Sequence, residues 1–233
     1  MNKSSFKPIR QFHKLAGYLL ALQLFAWLLG GLVMSAIPLE MVHGKHLAKR
    51  NLDNPFTLAD YPADLDQLAH RVDQFKTLTL SHFLEQPMII VTGAENTYFT
   101  ATGAPFPNPT ETQIRANARA HYLGDSAIES AQQLARGPRE VQYRPQVWQV
   151  IFADTLSTTL YLDANSGQVI TVRSTLWRIF DFFWMLHIMD YDERDDFNNP
   201  LLITFAVTSV FFCLSGMLLL LQSPPWRRRR SRG

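Results

Sequence analysis

Two uncharged apolar stretches set the architecture of this chain. Residues 15–37 and 200–222 contain no charged side chain. A helix rises about 1.5 Å per residue, so either stretch can cross a hydrocarbon core of about 30 Å. We therefore predict a membrane protein with two transmembrane helices, at 15–37 and at 200–222.

The charges are distributed unevenly around these stretches. All 20 acidic residues lie between them, whereas residues 1–14 and 223–233 hold nine Lys or Arg and no acid. The 13 basic residues in between leave that region a formal net charge of −7. Cytoplasmic flanks of membrane helices are rich in Lys and Arg. We expect both termini in the cytoplasm, the central region in the periplasm, and the protein in a bacterial inner membrane.

The basic tails also indicate the partners of the chain. Arginines just outside a membrane helix attract anionic lipid headgroups. We therefore expect the 223–233 tail to contact the lipid bilayer and expect no nucleic acid partner. The first apolar stretch starts too late and runs too long for a simple signal peptide, so we predict an uncleaved anchor. The single cysteine, Cys213, excludes an intramolecular disulfide.

The region between the predicted spans repeats a helix followed by strands. In residues 38–108, a helical pattern at 64–75 precedes three strand-like runs. In residues 109–175, a helix capped by Thr110 and ending near Gly124 precedes four strand-like runs. We predict an α+β outer region, in which each unit is a helix plus an antiparallel meander.

The strand pattern of the second unit also predicts a core. The last two runs flank Asn165-Ser166-Gly167, a tight hairpin turn signal. Alternation of side chains along a strand places every second residue on the same face. The residues expected inside are Trp148, Val150, Phe152, Leu160 and Val169. The histidines His70, His82 and His121 are expected at the surface or at strand edges.

The segment 176–191 is rich in aromatic residues and is too short to span a membrane. It contains Arg178 and Asp181, which have opposite charges. We predict an amphipathic helix lying in the outer membrane interface. An acidic connector, 192–199, follows; it lacks the glycine and the distal glutamate of an EF-hand, so we interpret it as a solvated link.

Several short motifs, in order along the chain, resemble those of the PepSY domain and the PepSY-associated transmembrane family. The last predicted hairpin matches the PepSY pattern at Tyr161, Asp163, Gly167 and Val169. The flanking segments match the transmembrane family at His13–Gly17, Leu186-His187 and Ser215-Gly216. Larger members of that family have more spans, so a site that needs four helices would here require a homodimer or a redox partner subunit.

The histidines near the predicted spans are candidate haem ligands. A b-type haem needs imidazoles on both faces of the porphyrin in an apolar slot. The resemblance to membrane reductases implies haem b, with His187 paired to His43 or His46 near the outer surface. His13 and His43 are about 45 Å apart along a helix and cannot share one iron in a protomer. His13 would serve a second haem together with its symmetry mate.

Copper is the alternative at the outer cluster. Met34, Met41, Met185 and Met189 accompany the same histidines, and thioethers with imidazoles suit Cu(I). The spacings of His43 with His46 and of Met185 with Met189 would place each pair on one helix face. The chemically simpler interpretation is that these methionines fill apolar contacts between helices.

Two functions from different classes follow. The first is an accessory or electron-transfer subunit of a membrane redox system. The second is a non-redox periplasmic binding or regulatory module, anchored to the membrane, with a protease or sensor as partner. The chain has no HExxH, P-loop or dinucleotide-binding motif, and we do not expect an independent enzymatic activity.

Overall fold

The structure is a computed structural model that describes residues 6–72 and 74–222. Its described residues form a helical unit, residues 6–37 and 180–222, and a sheet unit, residues 38–179. The division falls within one helix, between Ile179 and Phe180. The predicted Arg-rich tail and the first five residues lie outside the described residues.

The helical unit contains the two apolar stretches. Helix α1 runs from Lys7 to Ala36 and α6 from Pro200 to Gln222, and both are long and apolar enough to cross a membrane. Their large apolar side chains are mostly exposed, as at Leu22 (81%) and Leu221 (78%). An apolar surface of this extent is unlike the buried helix of a soluble core and is compatible with a lipid environment.

Local chemistry fixes the start of α6. The side-chain oxygen of Asn199 accepts a hydrogen bond from the Leu202 backbone N–H at 2.8 Å, and Pro200 occupies the first helical position. This is the arrangement that favours helix initiation, because the cap satisfies an otherwise unpaired donor and proline has none to lose. The Asn199 amide also donates to the Ile188 carbonyl at 3.0 Å, which ties α6 to the preceding helix.

The connector before α6 is ordered around one carboxylate. Asp190 accepts hydrogen bonds from the backbone N–H groups of Asp192, Asp195 and Asp196. These bonds lower the pKa of Asp190, the one from Asp196 most strongly. Arg194 pairs with Asp181, so the connector folds back onto the helix that precedes it.

The sheet unit contains two antiparallel meanders. The first three strands form one sheet in the order β1-β2-β3, and the next four form another in the order β4-β5-β6-β7. The strands are β1 Thr77–Phe83, β2 Gln86–Thr92, β3 Asn96–Thr100, β4 Ile128–Arg136, β5 Pro145–Phe152, β6 Thr159–Asp163 and β7 Val169–Arg173. The helices outside α1 and α6 are α2 Leu39–Val42, α3 Leu65–Ala69, α4 Glu111–His121 and α5 Thr175–Ile188.

Helix α4 packs on the second sheet over the main core. A capping box starts it: Thr110 accepts from the Gln113 N–H, and the Gln113 side chain accepts from the Thr110 N–H. The core buries residues from α4 and the strands, including Ile114, Ala118, Val150, Phe152, Leu160 and Leu162. The α+β prediction, with antiparallel sheets and two long apolar terminal helices, is confirmed; likeness to PepSY domains stays a prediction.

The predicted core is largely correct. Trp148, Val150, Phe152 and Leu160 are buried, whereas Val169 is only partly buried. The opposite face of β5 is covered at Val147, which packs in a separate cluster with Val141 and Tyr161.

Three local predictions differ from the structure. The helix expected at 64–75 forms only as α3 and ends before Val72, which instead packs beside the first sheet. Helix α4 ends at His121, before Gly124, so Gly124 is not its stop. His121 is buried, 6% exposed, because it lies on the face of α4 toward the rest of the unit and bonds the Lys49 carbonyl.

Candidate functional site

In the helical unit, His13 on α1 is the titratable residue with the most clearly defined neighbours. Its Nδ1 lies 2.8 Å from the Ser215 hydroxyl and 3.2 Å from the Phe212 carbonyl oxygen, both on α6. A carbonyl only accepts hydrogen bonds, so Nδ1 carries the proton and Nε2 keeps its lone pair in the neutral ring. The imidazole stacks parallel to the Phe212 ring, with centroids 4.3 Å apart.

Glycines make this close approach possible. A Cβ at Gly216 would lie 3.0 Å from His13 Cε1, and a Cβ at Gly17 would lie 3.2 Å from the Phe212 ring. The two helices therefore meet through His13 and Gly17 on one side and Phe212 and Gly216 on the other. The motif residues His13, Gly17, Ser215 and Gly216, far apart in sequence, form one contact.

An open groove lies beside this contact. It has a volume of about 680 Å³, within the usual range of small-molecule sites. Among the described residues that line it, Arg10 is the only charged one, and it lies one helical turn before His13. The lining consists of Arg10, His13, Phe212, Cys213, Gly216, Met217, Leu219, Leu220 and Gln222. We call it the His13 groove.

A second polar cluster occupies the other half of α1. The Gln23 amide donates to the Leu186 carbonyl on α5 at 2.7 Å, and the Trp27 ring contacts His187, with centroids 5.7 Å apart. Trp27 Nε1 and His187 Nδ1 are buried with no hydrogen-bond partner in the described part of the chain. Unpaired polar atoms are costly in an apolar medium, so a bound group that pairs with them would stabilise this cluster.

The adjacent glycines Gly30 and Gly31 on α1 have different surroundings. Gly30 packs on Phe183 of α5, and its Cβ would meet the Phe183 carbonyl oxygen at 3.5 Å. Gly31 has no atom within 4 Å of its Cβ position. The room at Gly30 is thus already used for helix packing, and only Gly31 faces open space.

His43 and His46 belong to the sheet unit. His43 follows α2 directly, and both side chains are exposed. The ring is exposed, but its partial desolvation, together with the nearby Arg50, Arg173 and Lys45 cations, lowers the pKa of His43. The imidazole is therefore neutral at neutral pH, the form in which it can ligate a metal. His187 belongs to the helical unit, and its pairing with His43 or His46 stays a prediction.

The prediction that His43 with His46, and Met185 with Met189, each share one helix face is wrong. Helix α2 ends at Val42, so His43 and His46 do not share a helix. Helix α5 ends at Ile188, and Met189 adopts a left-handed φ of 54° beyond it. Met189 is buried and Met41 exposed. Within 6–72 and 74–222, no three His, Cys, Asp or Glu side chains converge as a metal site.

Sequence reasoning identified His13 but missed two of its neighbours. Phe212 supplies the stacking ring and a carbonyl acceptor, and Arg10 supplies the charge of the groove. Helical spacing could have indicated both, since Arg10 precedes His13, and Phe212 precedes Ser215, by three positions on one helix face.

The chain was compared with known protein families, proteins and structures. No family model, curated protein or solved structure matches the chain.

Proposed function

We propose that this protein is a PepSY-type, membrane-anchored electron-transfer subunit that binds b-type haem, with His13 as an axial ligand. The observation that carries the proposal is the fixed imidazole of His13, held at Nδ1 by Phe212 and Ser215. Histidines that ligate metals typically donate their other ring N–H to such a partner, which sets the tautomer and the ring orientation. His13 therefore offers Nε2 as a preset ligand.

The His13 groove supports haem rather than a hydrated ion. Its lining is mainly apolar, and none of the nine described residues that line it is acidic. A porphyrin needs such a surface for its macrocycle and a cation for its propionates. The guanidinium of Arg10 can hold a carboxylate with two parallel hydrogen bonds.

The open side of the groove argues for a dimer. Each protomer supplies one His13, and low-spin b-type haem takes two imidazoles. In a two-fold symmetric dimer the same residue faces itself across the axis, so two His13 side chains can ligate one iron. Four long helices then surround the cofactor, as in haem-binding bundles.

The protein's own residues have defined tasks in this arrangement. Phe212 and Ser215 orient the imidazole, Gly216 and Gly17 let it reach the helix contact, and Arg10 balances the propionate charge. The bound haem supplies one-electron chemistry. The pairing of His187 with His43 or His46 on a second haem stays a prediction. The buried Nδ1 of His187, which has no hydrogen-bond partner among the described residues, supports His187 itself as a ligand. Copper at His43, His46 and His187 is the alternative to this second haem.

A reconstitution experiment tests the proposal. The full chain, purified in detergent with haem supplied during expression, should show a Soret band and α and β bands on reduction. His13→Ala should lower the haem content while the protein remains inserted in the membrane. His70→Ala, which removes an exposed histidine of the sheet unit, serves as the matched control and should leave the spectrum unchanged.

One result would reject this function, and another would reject His13 as a ligand. The first is a wild-type protein that stays colourless despite haem supply. The second is a His13→Ala protein with the same haem content and spectrum as the wild type. If only His187→Ala lowers the haem content, the ligand is His187 and not His13.

The non-redox binding module remains the second candidate function. It is favoured by a cavity within the sheet unit that involves none of the proposed haem ligands. A colourless protein that binds a small molecule or a protein partner through the sheet unit would support it.

A further inference from the structure

The sheet unit has a cavity of about 180 Å³ bounded by four separate parts of its chain. Arg50 and Asn51 come from the segment after α2, His82 comes from β1, and Asn117 and His121 come from α4. Gln168 closes it from the β6–β7 turn. The volume is that of a ligand with only a few non-hydrogen atoms.

Backbone pairing holds these parts in place. Ala48 forms an antiparallel bridge with Tyr122, and Lys49 N–H donates to the His121 carbonyl at 2.9 Å. The side chain of Gln168 donates to the Ser81 hydroxyl at 2.9 Å. The cavity is thus a built feature of the fold and not a gap beside a loose loop.

Among the described residues, the ionisable side chains around the cavity are a guanidinium and two imidazoles. Arg50, His82 and His121 line it, and no described carboxylate does. Arg50 makes no ion pair with any described residue. His82 Nδ1 is buried without a hydrogen-bond partner in the described part of the chain. An anionic group in the cavity would pair with both.

The cavity also offers hydrogen-bond acceptors. Asn117 donates its amide N–H to the Gly167 carbonyl at 2.7 Å, and Gln168 uses its amide on Ser81. Both side-chain oxygens therefore remain as acceptors. His121 Nδ1 lies 2.6 Å from the Lys49 carbonyl, so Nδ1 carries the proton and Nε2 accepts in the neutral ring. A ligand complementary to this lining has an anionic end and a donor beside it.

We propose that this cavity binds a small carboxylic acid that also carries an amino or hydroxyl group, with its carboxylate on Arg50. The planar guanidinium matches a carboxylate in two hydrogen bonds. The amino or hydroxyl group pairs with the side-chain oxygens of Asn117 and Gln168. This site is independent of the haem proposal, because it shares no residue with the His13 groove.

Calorimetric titration of the full chain in detergent tests the site, with L-alanine, lactate, acetate and inorganic phosphate as probes. L-alanine or lactate should bind more tightly than acetate, which lacks the donor, and phosphate should bind weakest. Arg50→Gln should weaken the best probe at least tenfold, which corresponds to about 1.4 kcal/mol. Lys76→Gln, at another exposed cation of the sheet unit, is the matched control and should leave the affinity unchanged.

His82→Ala gives a second readout and should weaken the same probe. Equal affinity of the wild type and Arg50→Gln for every probe would overturn the proposal, as would the absence of any binding at millimolar concentration. Binding of Zn²⁺ or Ni²⁺ that both His82→Ala and His121→Ala abolish, without a response to carboxylates, would also overturn it and would define a metal site instead.

Discussion

The charge pair between Glu140 and Arg178 provides the sharpest test of the sheet unit. Glu140 lies in the short 3₁₀ turn before β5, and Arg178 lies on the first turns of α5. Two guanidinium nitrogens bond the carboxylate at 2.7 and 3.1 Å, and the Tyr161 hydroxyl donates to it at 3.1 Å. Glu140→Gln removes the charge but keeps the size of the side chain.

The expected loss follows from burial. A hydrogen bond to a charged group contributes about 1.5–3 kcal/mol when it is shielded from water. The Glu140 side chain is 17% exposed and that of Arg178 37% exposed, so solvent screens part of this interaction. We expect a loss of about 2 kcal/mol, between the value of a surface pair and that of a fully buried one.

A matched variant isolates the effect of burial. Glu111→Gln breaks the pair with Arg115, whose side chains are 53% and 39% exposed, and should cost at most about 0.5 kcal/mol. Thermal unfolding followed by circular dichroism in detergent measures both. At about 3 °C per kcal/mol for a domain of this size, Glu140→Gln should lower the Tm by about 6 °C. Equal shifts in the two variants would refute the reasoning.

Three further perturbations have defined outcomes. Thr110→Ala removes the capping box of α4 and should lower the free energy of unfolding by about 1 kcal/mol in urea titrations. Gly167→Ala should lower the Tm by several degrees, because its φ is +70° and its Cβ would lie 2.1 Å from the Phe83 ring. Burial and the nearby His82 lower the pKa of His121. The unfolded chain then binds more protons, so stability should fall as the pH drops below 6.5, and His121→Gln should weaken this dependence of the urea midpoint on pH.

Local signals in the sequence predicted much of the fold. Thr110 forms the expected cap of α4, and the turn at Asn165–Gly167 joins β6 and β7 as a hairpin. These features depend on residues within a few positions of one another, so the sequence pattern carries them directly. The apolar spacing at 64–75 was less informative, because Val72 can pack against the first sheet without being helical.

Long-range packing set the limit for the candidate sites. His121 is hydrogen-bonded to the Lys49 carbonyl and lies near His82. Both neighbours are distant in sequence, so no local pattern predicts these contacts. The His13 groove was partly predictable, since His13 and Ser215-Gly216 belong to the motifs that resemble the transmembrane family. Their direct contact depends on the antiparallel packing of α1 on α6, which the motifs alone do not specify.

The haem content of the purified protein tests the proposed function most directly. A pyridine haemochrome assay on the wild type and on His13→Ala, normalised to protein concentration, gives the number of haems per chain. If two His13 side chains share one iron, the wild type should exceed the variant by one haem per two chains. Equal haem content in the two proteins, or none in either, would contradict ligation by His13.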